Sequence, residues 1–287
     1  MEPNVPSGVG MTAVGVAYVR AQESLRSDRL FDDPLAAAFI EESGWSPPSE
    51  LMPELAETPD EAKAYWGSIA AYVIVRTKFL DDYANDAIAA GIRQFVILGA
   101  GLDARAFRLD WPAGTRVFEL DVADVNAFKE RALARVSLKP KAERVVVEAD
   151  LTEEWMPSLM QAGFDPHTPA AWTAEGLLIY FTPEQNETLI STVTDASVAG
   201  SRIAMTLARE GSLDVPEMFV HAGPEGARSV PGMWKSESPG DPAEWLRGHG
   251  WEAEVFDSRE RANAYGRPMP ATTPDSAVRA LVRAVRV

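Results

Sequence analysis

From position 94 onward, short apolar runs rich in β-branched residues alternate with stretches whose apolar positions follow a helical period. That alternation predicts βαβ units, hence a mostly parallel sheet wound on both faces. Strands are expected at Gln94–Leu98, Arg116–Leu120, Arg144–Glu148, Ala171–Leu177, Ser201–Leu207, Glu252–Phe256 and Ala280–Val285. Helices are expected at Ala104–Arg108, Val122–Val136, Glu153–Ala162, Pro183–Ala196, Pro242–His249 and Ser258–Tyr265. Ahead of the first strand the period is helical, broken by one loop. Val14, Ala17, Tyr18, Ala21 and Leu25 mark a helix over Thr12–Arg26, and Asp33-Pro34 opens a short one. Tyr65, Ile69, Tyr72, Ile74, Phe79 and Tyr83 mark a third over Glu61–Ala90, after a Pro-, Ser- and Glu-rich loop at Ser43–Asp60. The expectation is one α/β domain over 1–287 with a doubly wound seven-stranded sheet. Its parts are a helical cap (1–90), a core (91–208), an insertion (209–240) and closing strands and helices (241–287).

The insertion is far longer than the ~4–6 residues that usually join two elements. Met218, Phe219, Met233 and Trp234 stand in it among Gly, Pro and polar residues, which suits a lid over a ligand. The same residues would equally suit a surface excursion whose aromatics pack on the sheet.

Composition narrows the chemistry. A formal charge of −16 repels a phosphate backbone, so nucleic acid is not an expected partner. The chain has no cysteine, and His167, His221 and His249 show no metal-ligand spacing, so no metal site is expected. No basic segment precedes an apolar one near Met1, and no apolar run approaches the ~20 residues of a spanning helix, so no membrane partner and a cytoplasmic location are expected.

The segment FVILGAGLDARAF sets Gly99, Ala100 and Gly101 where a buried strand gives way to a helix. Glycine there permits a tight turn and lets a nucleotide ligand approach the backbone. Gly99, Gly101 and Ala104 also satisfy a dinucleotide fingerprint, so an NAD(P)-dependent oxidoreductase fits the loop as well. Asp103 stands in the first helical turn, where it would repel a pyrophosphate and favour a ligand with a positive group; it could instead cap the helix. Asp121 ends the second strand and can accept two ribose hydroxyls. Glu119 shares its face and either joins it or sits in a salt bridge. Asp150 and Leu151 end the third strand, where they could meet an adenine amino group and ring, although Asp150 could also be a helix cap.

GMTAVGVAYVRAQES, FDDPLA, RTKFLDD, FVILGAGLDARAFRL, VFELD, EADL, AEGLLIYF and YGRP span nearly the whole chain. In these segments it resembles the leucine carboxyl methyltransferase family, especially its actinobacterial branch of S-adenosylmethionine-dependent methyltransferases. The resemblance implies a Rossmann-like methyltransferase fold, S-adenosylmethionine as cofactor and an O-methyltransferase activity. It also implies that Arg76 binds the cofactor carboxylate, Gly99 admits the methionine part, Asp121 takes the ribose, and Asp150 with Leu151 the adenine. Glu175 would hold the methionine ammonium and Tyr180 would shape the methyl-transfer face. A fixed guanidinium and a fixed carboxylate would thus match both ends of a zwitterion. By its neighbours alone, Arg76 reads as an exposed arginine paired with Asp81 or Asp82, whereas Glu175 lies in an apolar run and asks for a cation.

Because a sulfonium is an activated donor, alignment of the acceptor does most of the work. A carboxylate acceptor needs no base, whereas a phenol would be helped by one, with His221 or His167 the candidates. A small-molecule acceptor such as a natural product is expected, through a carboxylate or a hydroxyl. A non-catalytic S-adenosylmethionine-binding protein is the other alternative.

Overall fold

The computed structural model describes residues 9–44, 60–209, 211, 213 and 233–287. Among the described residues three helices come first: α1 (Val9–Ser24), α2 (Ala36–Ser43) and α3 (Asp60–Ala89). The alternating part follows as β1 (Gln94–Leu98), α4 (Arg105–Arg108), β2 (Arg116–Asp121), α5 (Ala123–Leu133), β3 (Glu143–Glu148), α6 (Met156–Gln161), β4 (Ala170–Ala174), α7 (Pro183–Asp195) and β5 (Arg202–Ala208). It closes with α8 (Pro242–Gly248), β6 (Trp251–Asp257), α9 (Ser258–Ala264) and β7 (Arg279–Arg286).

The seven strands lie in the order β3-β2-β1-β4-β5-β7-β6, with β7 antiparallel to both neighbours and the other pairings parallel. Sequential strands therefore step outward from β1 in one direction to β3, and then from β1 in the other through β4. The reversal opens a crevice at the carboxyl ends of β1 and its neighbours, where ligands of such sheets bind. Register aligns that edge, since Leu98 faces Leu120 on one side and Ala174 on the other.

Alternation divides the core into two layers. Phe95, Ile97, Val117, Ala171 and Leu281 point to the face covered by α1, α3, α5 and α9. Val96, Leu98, Phe118, Trp172 and Met205 point to the face covered by α6, α7 and α8. Local chemistry starts the helices of the second layer. Thr182 and Gln185 form a reciprocal cap on α7 with Pro183 in its first turn, and the Asp241 side chain accepts the first free N–H groups of α8.

Two of the boundaries that differ from the periodic reading bear on the site. The fourth strand ends at Ala174 rather than Leu177, because Gly176 turns to φ +62° and its N–H leaves the ladder for the Thr206 hydroxyl. A short 3-10 turn, Leu178–Tyr180, follows. The helix expected from Glu153 begins at Met156, because Asp150 closes a turn on Thr152 and Pro157 sits in the first helical turn. Met218, Phe219 and His221 of the insertion lie outside the described residues. Its returning end is fixed to the Leu178–Tyr180 turn and to β7: the Lys235 N–H donates to the Ile179 carbonyl at 2.7 Å, and Arg279 lies 5.8 Å from the Trp234 ring centre. No described helix is long and apolar enough to cross a membrane.

Candidate functional site

The glycine loop forms at the crevice because β1 is followed by two glycines at positive φ, Gly99 at +62° and Gly101 at +46°. A Cβ on Gly99 would stand 2.8 Å from Leu177, so this backbone is closely approached already. Ala100 donates its N–H to the Leu120 carbonyl at 2.9 Å, stitching the loop to the tip of β2. The Gly101 N–H donates to Asp121 Oδ2 at 2.6 Å and the Val122 N–H to Oδ1 at 2.8 Å. Asp121 is thus aimed at the loop, with acceptor capacity remaining on each oxygen. Burial raises its carboxyl above the usual range, against the pull of those two N–H groups.

Beside the loop stands a chain of ion pairs running through the first layer. Arg108 pairs with Asp81; Asp81 pairs with Arg105 at 2.9 Å; Arg105 pairs with Asp103 and, at 2.9 Å, with Glu175 Oε2; Glu175 Oε1 pairs with Arg76 Nε at 2.9 Å. Three guanidiniums and three carboxylates balance, so the cluster is neutral as a whole. Glu175, one residue past β4, is 11% exposed and held from both sides. Burial pushes its carboxyl up, but Arg105 and Arg76 together outweigh burial and hold it below the usual range. Gly176 is needed beside it: a Cβ there, at positive φ, would come 3.1 Å from Arg76 Nη1.

The structure brings together Arg76, Gly99, Ala100, Gly101, Asp121 and Glu175, and relocates other expected residues. Arg76 does not pair with Asp81 or Asp82; Asp82 is taken by Lys78 one helical turn on, and Asp81 by Arg105 and Arg108. Asp103 does not present its charge to a ligand. It is buried, one oxygen caps the Arg105 N–H at 2.6 Å, and the other faces the Arg105 guanidinium. Burial raises its carboxyl, and Arg105, Lys129 and Arg108 overcome this and lower it. Glu119 shares a face with Asp121 but lies one step inside the sheet, under α5. There Lys129 and Arg144 both reach its Oε2, at 2.7 and 2.8 Å, so it is a buried salt bridge rather than a pocket residue.

Asp150 is exposed just past β3, and its Oδ1 accepts the Thr152 N–H and hydroxyl, which lower its carboxyl. Ala149 donates to the Asp121 carbonyl at 2.9 Å and so sets this turn beside the tip of β2. Leu151 is buried in the second layer. Tyr180 lies on the 3-10 turn after β4, its hydroxyl 3.5 Å from that of Thr12 on α1. His167 is exposed in the loop before β4 and His249 pairs with Glu187, so neither stands at the crevice.

Two arginines of the site had no expected role. Arg20 of α1 reaches the Leu102 carbonyl at 2.5 Å and pairs with Asp33, tying the cap to the glycine loop. Arg105 ties the loop to α3 and to Glu175. The signal for Arg105 was a charge set among Ala104, Ala106 and Phe107, a run otherwise fit for burial.

Residues 13–194 match the leucine carboxyl methyltransferase family. The chain belongs to that family. A protein of Frankia alni, named as an inferred S-adenosyl-L-methionine-dependent methyltransferase, is 48% identical over 282 residues, covering 98% of this chain and 96% of its own. A second of the same name from Streptomyces avermitilis is 46% identical over 287 residues, covering 98% and 96%. Among solved structures, a DUF574 family protein of Streptomyces avermitilis superposes with a TM-score of 0.56 at 16% identity, covering 94% of this chain and 97% of its own. A protein of Thermobifida fusca inferred to be a methyltransferase superposes at 0.51 with 18% identity and 94% coverage of each chain. These two carry the fold alone.

The protein is therefore an S-adenosylmethionine-dependent methyltransferase with the seven-stranded methyltransferase sheet, and hydride transfer is set aside. Its crevice fits the cofactor in kind. Arg76 can fork onto a carboxylate, Asp121 has acceptor capacity for a ribose diol, and the glycine turn sets bare backbone at the carboxyl edge of the sheet.

Proposed function

We propose that this methyltransferase acts on an oxygen of a small molecule, a carboxylate or a hydroxyl, with the methionine end of its cofactor held between Arg76 and Glu175. The observation that carries the site is the close placement of those two residues across 99 positions of sequence, beside a carboxylate aimed at the glycine loop. When bound, S-adenosylmethionine supplies an activated methyl group. The chain's own part is to bind and align. Arg76 turns a guanidinium toward a carboxylate, Glu175 offers oxygens to an ammonium, and Asp121 accepts the ribose hydroxyls. Asp150 accepts the adenine amino group and Leu151 lines that end.

Tyr180 and Thr12 bound the side where the acceptor would lie, and the end of the insertion is fixed to the turn that carries Tyr180. His221, in the insertion, is the proposed proton acceptor for a hydroxyl substrate; a carboxylate substrate needs none at neutral pH. The family's description as carboxyl methyltransferases supports an oxygen acceptor. The test is incubation with methyl-labelled cofactor and a panel of small acids and phenols. Label should enter a small molecule, and its release by mild alkali would mark an ester rather than an ether. Transfer confined to nitrogen, to carbon or to a protein tail overturns the proposal.

A further inference from the structure

Arg105 takes no part in the cofactor contacts proposed for this site, yet each of its three nitrogens is engaged. Nε donates to Asp81 Oδ1 at 2.9 Å, Nη1 faces Asp103 and donates to Glu175 Oε2 at 2.9 Å, and Nη2 donates to the Thr77 carbonyl at 3.3 Å. Its side chain is 4% exposed. Such an arginine is locked in place and cannot turn to a ligand. Arg76 is different: it is more exposed, at 12%, and Glu175 is its carboxylate partner among the described residues.

A lone Arg76 could not both neutralise Glu175 and turn to the cofactor carboxylate, because its departure would leave a bare buried charge. Two guanidiniums on separate oxygens remove the conflict. Resting on the cofactor placement proposed above, we infer that Arg105 is a positioning residue. It acts as the permanent counter-ion that keeps Glu175 aimed and charged for the methionine ammonium, while Arg76 exchanges Glu175 for the cofactor carboxylate.

The groups around Glu175 agree with this division. α3 contributes Arg76, stacked over Tyr72 at 5.2 Å, and α1 contributes Arg20. The loop after β1 contributes Asp103 and the start of α4 contributes Arg105, with Asp81 and Arg108 behind them and Tyr180 near Arg76. Burial favours the neutral acid, and Arg105 is the strongest influence opposing it.

The experiment is calorimetric titration with S-adenosylhomocysteine from about pH 8 down to about pH 5, the range in which a raised glutamate would titrate. It compares the wild type, R105Q and R105Q/E175Q. R105Q should bind about tenfold more weakly at the alkaline end and lose about a further tenfold per pH unit toward acid, as one required carboxylate takes up its proton. R105Q/E175Q should lack that added limb. The double variant also separates Glu175 from Asp103, which R105Q strips of the same partner. Asp121 contributes equally in all three proteins and cancels.

A purely packing role for Arg105 predicts an R105Q profile parallel to the wild type, and that result overturns the proposal. Wild-type protein that binds no S-adenosylhomocysteine overturns the cofactor placement first and this inference with it. Where R105Q does not fold, carbon-13 carboxyl spectra of R105K decide. Lysine lacks the fork, so the Glu175 midpoint should move up from its wild-type value, and an unmoved midpoint sinks the idea.

Discussion

Glu175 shows how one residue serves both fold and ligand. From its apolar neighbours the sequence suggests that it waits for a cationic ligand, but the structure already supplies two guanidiniums. Glu175→Gln should therefore affect two measurements. An amide still accepts one hydrogen bond but brings no charge, so S-adenosylhomocysteine affinity should drop about ten- to hundredfold. Folding stability should also fall by about 1–3 kcal/mol in urea melts, because Arg76 and Arg105 lose part of their compensation.

The sign with pH follows from the two lowered carboxyls, Glu175 and Asp103. Their stabilising contribution is complete above the unfolded values of about 4.3 and 3.9, and it is lost as pH falls through the lower folded values. Thermal melts across that acid range should show stability declining, and declining less steeply in Glu175→Gln. An identical slope in the variant would sink this assignment.

At the scale of elements, the decisive piece is the early end of β4. Two more strand residues would have carried Glu175 into the ladder; the turn at Gly176 instead lifts it to the sheet edge and starts the short turn that ends in Tyr180. Gly176→Ala tests this bend. Its φ of +62° costs an alanine roughly 1 kcal/mol, and the new Cβ would press on Arg76 Nη1 at 3.1 Å. Cofactor affinity should fall more than the melting temperature does. A loss confined to stability would show that Arg76 is not held in place by this turn. The helical cap matters to the site in the same way: Arg20 and Thr12 of α1 touch the glycine loop and Tyr180, so the crevice is walled by residues far from the strands that form it.

Across the whole molecule, two chain regions 244 positions apart are joined by charge. Arg267 pairs with Glu23 through two bonds, at 2.8 and 3.2 Å, and Glu23 is buried at 0% side-chain exposure. This closes the segment after α9 onto α1, which in turn covers the glycine loop. Arg267→Met should leave that buried carboxylate poorly compensated and cost about 3 kcal/mol, a fall in melting temperature on the order of 10 °C. A change of only a degree or two in thermal melts would mean that the cap is anchored by packing alone.

The sequence by itself determined the sheet, its helices and the positions of the glycine loop and acidic strand ends, because each is written in short-range patterns: alternation, helical period, glycines at a tight turn. It also carried the family, through segments spread along the chain. Only tertiary structure decided the state of each charge. Asp103, Glu119 and Asp121 look alike in a string of acidic residues, yet one is spent on Arg105, one is buried under α5 with Lys129 and Arg144, and one is turned to the loop. The reason is range. Backbone geometry is set by neighbours in the chain, whereas the partner of a buried charge comes from whatever elements packing brings against it, as Arg76 is brought to Glu175.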